Sequence, residues 1–198
     1  MVLDRSFYIR PDIVTIAKEL LGKVLFTNSG GQLTGGVITE TEAYEGITDR
    51  ASHAYGGRRT GRTEIMYRIG GTAYVYLCYG VHSLFNIVTN LEDIPHAVLI
   101  RGIKPFAGIP VILERTGRTE LTKNIADGPG KVSKALGIHY KDTGLDLTKR
   151  VNKSTKGIWV EDKGIRINPA EILVSPRIGV NYAGEDALLP YRFFVIAS

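Results

Sequence analysis

A single cysteine, Cys78, stands in 198 residues, so no disulfide can form within the chain. The paired Cys/His spacing of a structural zinc site is missing too, and His82, His96 and His139 fall on separate elements. Neither a metal nor any other cofactor is expected. No apolar run approaches the roughly 20 residues that span a bilayer. Met1 to Arg10 lacks a basic stretch followed by an apolar one, so no secretory signal is expected. Repeats and low-complexity tracts are lacking, as is a full phosphate-loop spacing, because Val132 follows Gly128-Pro129-Gly130-Lys131. The simplest reading is a soluble protein of a reducing cytoplasm. No exposed heptad suggests a dimer, so a monomer is expected.

What is present supports one domain over residues 1–198. Hydrophobic residues make up 43% of the chain, enough for a core without disulfides. The net charge of +5 and a pI near 9.3 lean toward polyanionic partners, since Lys and Arg neutralise phosphates. Ile13, Ile16, Ala17, Leu20 and Leu21 recur at helical spacing and predict a helix over Pro11–Leu21. Strands follow at 23–27 and, after the turn Asn28-Ser29-Gly30-Gly31, up to Tyr44. Residues 45–62 read as an ordered functional loop, and 63–68 as a short helix. Further strands are expected at 72–78, 84–89, 96–104, 158–160, 171–175 and 192–196, with helices at 107–117 and 129–137. The polar stretch 141–156 reads as a surface excursion. Strands mostly follow one another, which predicts an α+β fold with a largely antiparallel, curved sheet and flanking helices.

Period-2 alternation puts Glu40, Glu42 and Tyr44 on one face of their strand. On spacing alone these acids are the solvated face of an edge strand. The residues after them argue otherwise. A loop with Asp49, Ser52, His53, Arg58, Arg59 and Arg62 leads into a tyrosine-rich hairpin with Tyr67, Tyr74, Tyr76 and Tyr79. A carboxylate, a histidine, aromatic rings and arginines are the parts that hold a planar base beside a phosphate backbone. Tyr74 is expected to pack in the sheet, and Cys78 to be a small core residue. Tyr79, at a turn beside Gly80, could pack or could be a wedge between base pairs.

Glu40-Thr41-Glu42-Ala43-Tyr44, Ala51-Ser52-His53, and Tyr74-Val75-Tyr76 running into Tyr79-Gly80 resemble the alkyladenine (3-methyladenine) DNA glycosylase family of the mammalian type. The match continues in order through Asn86-Ile87, Val98-Leu99-Ile100-Arg101, Gly128-Pro129-Gly130-Lys131 and Pro176-Arg177-Ile178-Gly179. This resemblance implies an enzyme that flips a damaged purine, alkylated or deaminated, out of double-stranded DNA and hydrolyses its N-glycosidic bond, in base excision repair. Glu42 would then activate the attacking water, with Arg101 and the main chain of Ile178 holding water and carboxylate. Tyr44, His53 and Tyr76 would enclose the flipped base, Asn86 would stand at the pocket floor, and Tyr79 would fill the gap in the duplex. Val81 stands where methionine is more often expected, so the shape of the wedge differs. No lysine neighbours Glu42 as a Schiff-base nucleophile, so base release without strand cutting is expected.

Two other readings use much of the same equipment: a non-catalytic DNA-damage binding protein and a hydrolase of free nucleosides. The first has no need of Glu42 paired with Arg101; the second has no need of the arginine loop or Tyr79.

Overall fold

The computed structural model describes residues 1–196. Asp4 caps a one-turn helix, α1 (Arg5–Tyr8), and Asp12 caps α2 (Ile13–Glu19) by accepting from the Thr15 N–H. Because Asp12 is the cap, Pro11 lies outside the helix predicted to begin with it. The left-handed Gly22 (φ 81°) turns the chain into the sheet.

Eight strands form that sheet: β1 (Val24–Ser29), β2 (Gln32–Tyr44), β3 (Ala73–Cys78), β4 (His82–Thr89), β5 (His96–Ala107), β6 (Gly157–Glu161), β7 (Leu173–Ser175) and β8 (Arg192–Phe194). Their order is β3-β4-β5-β2-β1-β6, with β8 pairing β2 and β7, and the named pairings are antiparallel. The α+β class read from the sequence holds. Strand β5 runs on to Ala107, which takes the start of the helix expected there. The chain turns only at Gly108 (φ 68°), where an added Cβ would lie 2.2 Å from the Leu33 carbonyl oxygen. Helix α3 (Ile109–Thr116) follows, then α4 (Pro129–Leu136). The helix expected at 63–68 is only a 3-10 turn, Glu64–Tyr67. A 3-10 stretch over Asn181–Leu188 has no counterpart in the sequence reading.

Alternation divides the sheet's two faces. Ala43, Val75, Phe85, Ile87, Val98 and Ile100 point into the main core, against Ile13, Ile16 and Leu20 of α2, Ile112 of α3, and Val132 and Leu136 of α4. Glu42, Tyr44, Tyr74, Tyr76, Asn86 and Leu99 therefore turn to the other side. The loop 45–62 lies on that side, over a second cluster of Ala54, Met66, Tyr67, Tyr74, Val88 and Ala97. The stretch 141–156 is less of an excursion than its polarity suggests. Leu147 is fully buried, and Asp146 bridges to Thr72 just before β3. No helix among the described residues is long and apolar enough to cross a membrane.

Candidate active site

Strands β2, β3, β4 and β5, the loop 45–62 and the segment 176–182 enclose a cavity of about 220 Å³. That is below the about 300 Å³ where sites for drug-sized ligands begin, so it suits a single planar ring system better than a whole nucleotide. Tyr44, His53, Tyr76, Tyr79, Asn86, Arg101 and Ile178 all line it. Residues from six stretches of the chain thus meet at one place.

Glu42 is fully buried behind Tyr44, Arg101 and Ile178. Its Oε2 accepts from the Tyr44 hydroxyl at 2.7 Å, and its Oε1 from the Ile178 N–H at 2.8 Å. Arg101 Nε stands 3.4 Å from Oε1. Burial pushes the carboxyl pKa up; the Arg101 charge, the Ile178 N–H and the Tyr44 hydroxyl work against that rise, and Glu40 adds to it. Burial and the adjacent Glu42 also raise Tyr44 well above the usual phenol value, so Tyr44 stays a donor.

A β-bulge aims Arg101. Glu40 pairs with Gly102 and Thr41 with Ile100, so the ladder passes over Arg101, and its side chain turns toward the two glutamates. The Ile178 N–H is placed by its neighbour Arg177. That guanidinium is buried, grips both carboxylate oxygens of Asp49, donates to the carbonyls of Ala43 and Asp186, and lies 4.8 Å from the Tyr44 ring centre.

The aromatic wall is built from edges and faces. His53 meets Tyr76 edge-on at 4.7 Å between ring centres, and Tyr74 lies tilted against Tyr76 at 5.4 Å. Arg62 sits 4.7 Å over the Tyr76 ring and 3.3 Å from His53 Nε2. A guanidinium only donates, so Nε2 accepts and the His53 proton sits on Nδ1, which donates to the Tyr74 hydroxyl at 2.8 Å. Burial, with Arg62 and Arg58 nearby, holds the His53 pKa down to about 4. The Asn86 amide nitrogen, buried in the cavity wall, donates to the carbonyls of Tyr74 (3.2 Å) and Leu84 (3.3 Å), which fixes the orientation of the side chain.

Tyr79 is 93% exposed at the hairpin tip, left-handed (φ 52°) beside Gly80 (φ 71°), with Val81 also exposed. Both central turn residues at positive φ is the geometry hairpins prefer. Of the loop arginines, Arg59 is not free for phosphate, because Glu64 and Asp93 hold it at 2.8–2.9 Å. Cys78, expected in the core, is half-buried and lines the cavity. It follows Tyr74 and Tyr76 at period 2, which was the signal for this face. Tyr182 also lines the cavity and was missed, for it lies in the irregular 181–188 stretch. A larger cavity of about 500 Å³ lies beyond Glu40, beside Arg192, Asp127 and Phe194.

A buried, hydrogen-bonded carboxylate behind a base-sized aromatic cavity, with an exposed aromatic tip at its rim, defines a site for chemistry on a planar group that must enter from outside. The family model for methylpurine-DNA glycosylase matches residues 6–198. A protein of Chlamydia abortus named "Putative 3-methyladenine DNA glycosylase" is 44% identical over 195 residues, covering 98% of both chains. Proteins of the same name from Clostridium perfringens and Bacillus cereus are each 43% identical. Those alignments cover 98% and 96% of this chain, and 96% and 93% of theirs. The chain belongs to the methylpurine-DNA glycosylase family, and is a DNA glycosylase.

Proposed function

We propose that this enzyme flips an alkylated or deaminated purine out of duplex DNA into the 220 Å³ cavity and hydrolyses its N-glycosidic bond with water activated by Glu42. The carrying observation is the Glu42 carboxylate, fully buried yet held ionisable by the Ile178 N–H, the Tyr44 hydroxyl and Arg101. Each carboxylate oxygen has two lone pairs, so one on each remains for a water. As the bond to an alkylated, cationic purine lengthens, its electron pair neutralises the departing base and positive charge grows on the sugar; a deaminated purine, neutral at the start, leaves as an anion and takes up a proton from solvent. The carboxylate stabilises the charge on the sugar and takes a proton from the water as its oxygen bonds to C1′. The products are a free base and an abasic site in an uncut strand.

Tyr44, His53 and Tyr76 then enclose the base. Asn86, with its amide locked, stands at the floor and clashes with the amino group of normal guanine. Tyr79 fills the gap in the duplex, and stacking of roughly 1–3 kcal/mol per base offsets the cost of flipping.

Glu42→Gln keeps the size and, through its amide oxygen, the bond from the Ile178 N–H, while its NH2 can only donate toward the Tyr44 hydroxyl; it cannot take a proton. We expect it to bind lesion duplex as before and to release base at least about 10²-fold more slowly in single turnover. Near-normal release by Glu42→Gln would remove Glu42 from the mechanism. Binding without release by the parent enzyme would favour a damage sensor, and release from free nucleoside alone a nucleoside hydrolase.

A further inference from the structure

Glu40, to which the family resemblance gives no role, is held in a specific arrangement beside Glu42. It is buried, and its Oε1 accepts from two guanidinium groups, Arg101 Nε at 2.9 Å and Arg192 Nε at 2.6 Å. Gly102 faces it across the ladder; a Cβ there would come within 3.1 Å of Glu40 Cβ and 3.4 Å of its Oε2, so the glycine leaves room for the carboxylate to lie flat against β5. Nε of an arginine carries one hydrogen. That of Arg101 is bonded to Glu40, while Glu42 waits at 3.4 Å with charge attraction only.

We propose that Glu40 is a positioning residue for the reaction: by taking the Nε–H of Arg101 it holds that guanidinium back from Glu42 and keeps Glu42 basic enough to deprotonate water. Arg192 tempers the effect by sharing the same oxygen of Glu40, and is itself fixed by Ser175 Oγ at 3.2 Å and by the Phe194 ring. The charged and titratable groups around Glu42 are Glu40 and Tyr44 on β2, Arg101 on β5, Arg177 and Tyr182 on the 176–182 segment, and Arg192 on β8, opposite Glu42 in the ladder. Of these, Glu40 raises the Glu42 carboxyl and Arg101 lowers it, which agrees in sign.

This inference rests on Glu42 acting as the base. Its test is the pH profile of single-turnover release of 7-methylguanine from duplex DNA. The lesion is already cationic, so the acid limb reports the base and not protonation of the leaving group. With Glu40→Gln, Arg101 swings fully onto Glu42, and the acid limb moves down by about one pH unit. With Arg192→Met, Glu40 is left less neutralised, and the limb moves up. Opposite shifts are something a packing defect does not produce. If Glu40→Gln fails to fold, Arg192→Met decides alone, and a limb that does not rise overturns the proposal. Unmoved limbs in both variants, with Glu42→Gln inactive, overturn the role of Glu40 only; an active Glu42→Gln overturns the role of Glu42 itself.

Discussion

At the scale of single residues, His53 is the clearest case of environment overriding the ordinary value. A free imidazole titrates near 6.5, but in the fold His53 takes its proton only near pH 4, because burial and the charges of Arg62 and Arg58 disfavour the cation. It is therefore neutral over the range in which Glu42, as the proposed base, would be ionised, and it meets Tyr74 as a hydrogen-bond partner and Tyr76 edge-on. The sign for stability follows. Between pH 6.5 and 4 the unfolded chain binds the proton and the folded one does not, so stability rises with pH there and is lost on acidification. We expect His53→Gln to shrink the drop in melting temperature between pH 7 and pH 5. An unchanged drop would assign the proton uptake to another group. The sequence placed His53 near arginines in one loop, which was enough to nominate it. That its Nδ1 meets Tyr74, on a different strand, was not legible, because it depends on how the loop folds back over the sheet.

At the scale of elements, the site depends on long-range ties between pieces that alternation alone cannot join. Period 2 correctly put Glu40, Glu42 and Tyr44 on one face, but it also made that face look solvated. Burial comes from β5 on one side, β8 on the other, and the 176–182 segment laid across, which lies far along the chain. The tie holding that segment is the buried pair of Arg177 with Asp49, 128 residues apart, which the sequence names in two separate motifs without joining them. Removing one partner strands a buried charge, so Arg177→Met is expected to lower unfolding free energy by about 3–5 kcal/mol in urea. Release should slow as well, since the Ile178 N–H leaves Glu42. Asp49→Leu combined with Arg177→Met should cost less stability than Arg177→Met alone, because no orphan charge remains. A double variant as unstable as the sum of the singles would show the pair to be uncoupled. Ile178 itself came only from the family resemblance; a main-chain donor leaves no side-chain signal to read.

At the scale of the whole molecule, the proposed DNA binding divides between a charge term and a shape term, which would fall to different residues. The net charge of +5 was legible from composition, but its distribution was not: Arg59 is paired within the fold with Glu64 and Asp93, whereas Arg58 is exposed and close enough to His53 to lower its pKa. Each phosphate contact releases counterions and steepens the fall of affinity with salt, by about one unit in the log–log slope. Tyr79 projects almost fully into solvent from a left-handed turn, and in the proposed reading it acts only where a base has left the stack. Two variants therefore separate the terms. Tyr79→Ala should weaken binding to lesion duplex more than to undamaged duplex and leave the salt slope as it was. Arg58→Ala should weaken both duplexes alike and lower the slope by about one. Titrations of both duplexes from low to moderate salt give all four numbers. Equal weakening of the two duplexes by Tyr79→Ala would make that ring packing material at the hairpin tip and leave the flipped state to be held by Tyr44 and Tyr76 alone.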